Sequence, residues 1–403
     1  VSAKYVQANP AILRWAREEA HLSLDDAASR AKISELKPRG KKDRVLPSER
    51  LARWEAGEEL PTYSQLEGLA TAYRRPLITF FLPVPPRKET VMADFRTVGD
   101  REFQGASPEF AALMRQVEVL QKELRQLLEE VSNRRLPFVG SCAEADGVQS
   151  VAKSIRTVLD FSLPEQKRLQ NSDRLFSAIR EHAELAGVFV VKKGNLGSHH
   201  SNVDVDEFRG MAICDDVAPL VCINTNDAPA AQVFTLVHEL AHIWTGKTGV
   251  SNYDSATRGP QEAPVSEVFC NCVAAEFLVP EREFLQEWRE EPVDDVLGWA
   301  SRKSKLFKVS RFVIIRRLND LNLITDDHFW ALYRVLQTDW RNKRQRMRER
   351  GGGPAYGVQV SARLGKKLLS TVIGAAYDGK LSYKDASRML NVKIDHFGKL
   401  YPA

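Results

Sequence analysis

A chain of 403 residues with 43% apolar and 28% charged content is globular in composition and long enough for two or three domains. Its net charge of +5 is mild for that size and does not by itself point to nucleic acid. Five cysteines, Cys142, Cys214, Cys222, Cys270 and Cys272, form no paired framework, which excludes a disulfide scaffold and fits a reducing cytosol.

The first 86 residues predict a five-helix domain. The runs Ile12–Glu18, Leu22–Ala28, Leu51–Gly57 and Leu66–Ala70 resemble an XRE-type helix-turn-helix domain. That resemblance implies a supporting helix over Leu24–Ala31 and a recognition helix over Ser48–Trp54, with DNA as a partner. Between them stands an insertion, residues 34–47, longer than the usual turn needs. Its segment Lys37-Pro38-Arg39-Gly40-Lys41-Lys42-Asp43-Arg44 has five cations against one acid. Lys37, Arg39, Lys41, Lys42 and Arg44 are therefore candidate phosphate contacts, the alternative being a solvated loop. Arg50 and Arg53 complete the candidate DNA-binding set, flanked by Glu49 and Glu55, so the recognition surface is not strongly basic.

Residues 87–140 form a linker and a long helix. Leu82-Pro83-Val84-Pro85-Pro86 is stiff and extended. From Pro108 to Arg134, Leu113, Val117, Leu120, Leu124, Leu127 and Val131 recur three or four apart, an apolar stripe. It packs on its own protein or forms a homodimer coiled coil; the first is the commoner use of one stripe. Residues 141–292 make the next domain. Gly187–Val191 and Pro219–Ile223 predict strands of a small sheet. His199 and His200 lie in the polar loop between them and are expected to be solvated.

His238-Glu239-Leu240-Ala241-His242 is an HExxH motif within a helical pattern. Histidines four apart lie on one helix face, so two imidazoles can reach one zinc ion. Zinc lowers the pKa of a water in an open position towards about 7, and Glu239, beside the first ligand, can take its proton. The plain alternative is a pair of buried helical histidines with an unrelated glutamate between them. Zinc also needs a third protein ligand. The segment from Glu267 to Pro280 offers Glu267 and Glu276, which nine positions place on opposite helix faces. Glu267 shares its face with Asn271, Ala274, Ala275 and Leu278, and the small alanines permit close approach to the histidine helix. It is the expected ligand; otherwise it is a solvated first-turn carboxylate. Glu276 is expected to meet a buried polar partner or the domain rim. Cys270 and Cys272 point about 200° apart and are expected to be packing residues.

Phe208–Ile213, Pro219–Asn224, Phe234–His242 and Glu267…Asn271…Ala274-Ala275-Glu276…Pro280 together resemble the ImmA/IrrE family of metallopeptidases, over about residues 175–285. The resemblance implies a gluzincin-like, zincin-type fold. It also implies one zinc on His238, His242 and Glu267, with Glu239 as catalytic base and a helix-turn-helix repressor as protein substrate. Gln232-Val233 stands where an arginine often precedes Phe-Thr-Leu, and Cys270 and Cys272 replace commoner residues; neither touches a ligand.

In the segment 293–350, Val293–Thr325, with Val296–Ala300 and Ile314–Ile324, resembles the second helix-turn-helix-like element that often follows this peptidase domain, and Trp340–Arg350 is a basic run. Residues 302–350 hold 14 Lys/Arg against 5 Asp/Glu. A glycine hinge, Gly351-Gly352-Gly353-Pro354, leads to a small helical module over 351–403. The fold class is thus mainly α with a small β-sheet (α+β). No apolar signal core opens the chain, and no run reaches the ~18 apolar residues of a membrane span, so a cytoplasmic location without membrane contact is expected. The functional expectation is a zinc endopeptidase that cleaves a DNA-binding regulator and relieves repression, its own N-terminal domain serving targeting or autoregulation. Two alternatives are a DNA-binding transcriptional regulator with a sensing peptidase fold, and one component of a toxin–antitoxin-like pair acting on a small cognate protein.

Overall fold

Capping residues set where the N-terminal helices begin. The structure, a computed structural model, describes residues 5–20, 22–35, 44–86, 107–131, 134–197, 201–251, 264–290, 295–348 and 356–401. It divides into two compact units: residues 1–117 with 195–203, and residues 118–194 with 204–403.

In the first unit, the Asn9 side chain accepts from Ala11 N at the start of α1 (Pro10–Glu19). Ser23 accepts from Asp26 N and starts α2 (Leu24–Arg30). Helix α3 (Pro47–Ala56) has proline in its first turn and ends at Gly57 in the left-handed conformation, as the C-terminal stop needs. Thr62 and Gln65 form a capping box for α4 (Tyr63–Ala72), and a 3-10 turn follows at Leu77–Phe81. Ile12, Leu13, Leu51, Trp54, Leu66, Leu69 and Phe80 make the core. Gly68 is required there, because a Cβ would lie 2.6 Å from the Ala31 carbonyl oxygen. A bidentate pair, Arg17 to Glu55 at 2.8 and 2.9 Å, joins α1 to α3.

Helix α5 (Pro108–Val131) carries the stripe seen in the sequence, and Leu113, Val117, Leu124 and Leu127 are buried within the chain. The second unit is built on helices α6 (Val148–Leu159), α7 (Leu163–Arg168) and α8 (Ser172–Ala186) and a four-stranded mixed sheet. Strands β1 (Phe189–Lys192), β2 (Gly210–Ile213), β3 (Leu220–Ile223) and β4 (Gly249–Ser251) lie in the order β1-β3-β2-β4. β1 runs parallel to β3; β2 is antiparallel to both β3 and β4. The first three strands are apolar along most of their length and almost wholly buried, as a sheet covered on both faces requires.

Helix α9 (Pro229–Thr245) packs on β2 and β3 and against α6, α8 and α10 (Val265–Leu278). One apolar core runs from Leu136 to Leu336. It includes Phe284 of α11 (Glu281–Glu290), Trp299 and Phe307 of α12 (Val296–Phe307), Ile314 of α13 (Arg311–Asp320) and Phe329 of α14 (Asp326–Arg348). Buried Gln166 ties these layers together by donating to Leu278 and Phe307 carbonyls, both at 2.8 Å. Of the C-terminal helices, α15 (Tyr356–Leu364) docks on β1, α16 (Lys366–Tyr377) on β1 and α8, and α17 (Tyr383–Leu390) packs on α16. Buried Arg180 holds them, reaching Glu184 and the Ala362 carbonyl at 2.9 and 2.6 Å. Among the described residues no helix is long and apolar enough to cross a membrane, and all five cysteines are free.

Candidate metal centre

The HExxH residues occupy the middle of α9 with almost no exposure: His238 4%, Glu239 0% and His242 0%. Four-residue spacing stacks the two rings on one face, and their Nε2 atoms come within 3.0 Å. From α10, Glu267 (4% exposed) places one carboxylate oxygen 3.2 Å from His238 Nε2 and the other 3.2 Å from His242 Nε2. The close approach of α10 is possible because Ala274 and Ala275 face the packed side. Glu276, on the far side of the same helix, pairs instead with Arg317 and accepts from Glu281 N at 3.2 Å.

The three side chains fit a divalent ion. Tetrahedral ligands about 2.0–2.1 Å from zinc stand roughly 3.3 Å from each other, close to the 3.0–3.2 Å triangle found here. Among the described residues, this is the group of histidine and carboxylate donors clustered closely enough to hold a metal. Its chemistry is also unfinished without a cation: His242 Nδ1, both oxygens of Glu239 and both of Glu267 are buried with no good hydrogen bond, and such orphans are rare in stable interiors.

The local field sorts the protonation states. Burial works against the Glu267 carboxylate, but the two imidazoles beside it outweigh that and hold it well below the usual carboxylate range. Burial also lowers His238, yet Glu267 draws its pKa up overall, while burial keeps His242 below the ordinary histidine value. Glu239 is pushed up to about 8, chiefly by burial, with His238 pulling the other way. A carboxyl in that range is a proton acceptor matched to neutral pH, and an adjacent divalent cation favours its ionised form.

The candidate DNA contacts fare differently. Arg50 departs from expectation. It is buried, donates to the Ser34 carbonyl at 2.7 Å and lies over the Trp54 ring, so its guanidinium is spent inside the unit. Arg53 pairs with Glu59 at 2.8 Å and exposed Arg44 with Glu35 at 2.9 Å. Lys37, Arg39, Lys41 and Lys42 lie outside the described residues, as do His199 and His200.

Three neighbours of the centre escaped the sequence reading. Thr235 lies one helical turn before Glu239, Gly210 lies against both side chains, and Ser251 acts on the Glu239 carboxyl. Thr235 was within reach of the four-residue rule; the other two depend on strand register, with Gly210 opposite Ser251.

Residues 188–319 match the family model described as the IrrE N-terminal-like domain, a peptidase M78 family, so this chain contains a metallopeptidase domain with a buried His-His-Glu triad. Residues 364–401 match a domain of unknown function, DUF8813. No curated protein and no solved structure matches the chain.

Proposed function

We propose that the protein is a zinc-dependent endopeptidase, one zinc per chain on His238, His242 and Glu267, that cleaves an XRE-type DNA-binding regulator. The observation that carries the reading is the buried donor triangle with the unpartnered Glu239 carboxylate beside it, inside the IrrE-like domain. Zinc, when bound there, supplies Lewis acidity towards water and the scissile carbonyl. Glu239 takes the proton of the attacking water and hands it to the leaving amine. The burial of the centre limits bulk water and strengthens each charge interaction within it.

The regulator as substrate is supported by the IrrE-like family match and by the N-terminal helices. Their run of α2, connection and α3 resembles the supporting and recognition helices of an XRE domain, and such a unit suits recognition of a like partner or of DNA near it. The test is to mix zinc-loaded wild type and Glu239→Gln with XRE-type regulators from neighbouring genes and follow fragments by mass spectrometry. Glu239→Gln should keep its metal, bind the regulator and lose about 10²–10⁴ in rate. Equal cleavage by both proteins rules out the base. No cleavage by zinc-loaded wild type moves the assignment to a sensing regulator or a toxin–antitoxin-like component.

A further inference from the structure

Glu239 has no good hydrogen bond to fix it. Both carboxylate oxygens are buried and neither makes a well-formed hydrogen bond; the Ser251 hydroxyl reaches the carboxyl only weakly, so the walls around the side chain share in deciding where it points. One wall belongs to its own helix, where Thr235 stands four residues earlier on the same face. The other is strand β2 at Gly210, held in register between Ile223 of β3 and Ser251 of β4.

A methyl group at position 210 would stand 2.5 Å from Glu239 Oε1, 3.0 Å from its carboxyl carbon and 2.5 Å from Thr235 Cγ2. These separations are far inside van der Waals contact. Gly210 is not among the glycines with positive φ, so its backbone is one that any residue adopts. The glycine is needed here for space and not for conformation.

We propose that Gly210 is a positioning residue for Glu239: the bare strand backbone is the surface against which the carboxylate is seated beside His238 and Glu267. A side chain at 210 tilts the carboxylate away or lifts β2 from α9. The functional meaning of this seat rests on Glu239 being the base, but the seat itself is a packing relation that can be tested without any substrate.

The test is a mutant cycle in the full-length chain, built on Thr235→Ser, which removes the second methyl contact. Thermal unfolding is measured with and without Gly210→Ala, first with Glu239 and then with Glu239→Asp, whose shorter side chain withdraws from the strand. With Glu239 present, Gly210→Ala should lower Tm by about 5 °C, the scale of an overpacked site. With Glu239→Asp the same substitution should lower it by less than about 1 °C, a rescue that a general strand defect does not show. An equal fall in both backgrounds, or none in either, overturns the proposal. If Gly210→Ala folds only together with Glu239→Asp, the coupling stands; if it folds in neither, the proposal fails.

Cobalt(II) alone serves as the metal probe. One ion per chain should be retained by all four proteins, since no ligand is altered. Failure of wild type to bind cobalt would sink the metal reading and leave the Tm cycle to decide Gly210.

Discussion

Glu267 and Glu276 sit nine residues apart on one helix, and their replacement by alanine should produce opposite signatures. Glu267→Ala removes one of three metal ligands, so zinc retained after dialysis against a weak chelator should drop from one per chain to near zero. The fold should survive, because no buried cation is left behind. Glu276→Ala leaves the ligand triangle intact, and metal content should stay at one. The cost falls on the fold instead. The Arg317 side chain is 7% exposed and, apart from Glu276, donates to the Val279 carbonyl at 3.1 Å. Stripping a buried charge of its partner costs about 3–5 kcal/mol, and the lost acceptor for Glu281 N adds roughly 1 kcal/mol. At about 2–4 °C per kcal/mol for a domain of this size, Tm should fall by about 10 °C or more. Metal analysis and thermal unfolding of the two variants decide the matter. Loss of zinc from Glu276→Ala, or full zinc in Glu267→Ala, would refute the assignment.

Three further outcomes are expected. Metal affinity should weaken as pH falls through the histidine range: binding needs both imidazoles neutral, and the raised pKa of His238 makes protons compete from a higher pH than an ordinary histidine would. Competition with a chelator between about pH 8 and about pH 5.5 measures this, and a flat profile would contradict it. Gly365→Ala should release residues 356–401 to proteases without changing metal content, because a Cβ there would lie 1.9 Å from Glu184 Oε1 and 2.5 Å from Arg180 Nη2, at φ +83°; undiminished protease resistance would refute the docking role. Arg50→Ala should destabilise the N-terminal helices by about 1–3 kcal/mol, because the Ser34 carbonyl loses its donor; an unchanged thermal unfolding curve would contradict it.

The donor residues of the centre were legible because helix geometry is local. His238 and His242 share a face by spacing alone, and opposite phase separates Glu267 from Glu276 before any tertiary contact is known. Strands β1 and β3 were legible as short apolar runs. Strand β4 was not: Gly249-Val250-Ser251 is too short for periodicity to register, and it exists because β2 offers an edge to pair with. Gly210 was visible only as part of a family-like run, since nothing local says that its missing side chain leaves room for a carboxylate 29 positions away. The inward place of Arg50 was hidden for a different reason. A cation on an expected recognition helix suggests an outward phosphate contact, yet Arg50 lies four residues before buried Trp54 and so shares its inward face, where the guanidinium stacks on the indole.

That distinction bears on how the chain divides its labour. His238, Glu239 and His242 come from α9, Glu267 from α10 and the seat for Glu239 from β2, and all these elements contribute to the one core that runs from Leu136 to Leu336. The ligands and the base therefore need no side chain from the N-terminal helices, whose own core closes separately around Trp54 and Phe80. Among the described residues, the N-terminal unit supplies none of the clustered donor side chains. Metal content should therefore be the same with or without that unit, and loss of the metal on its removal would contradict this division.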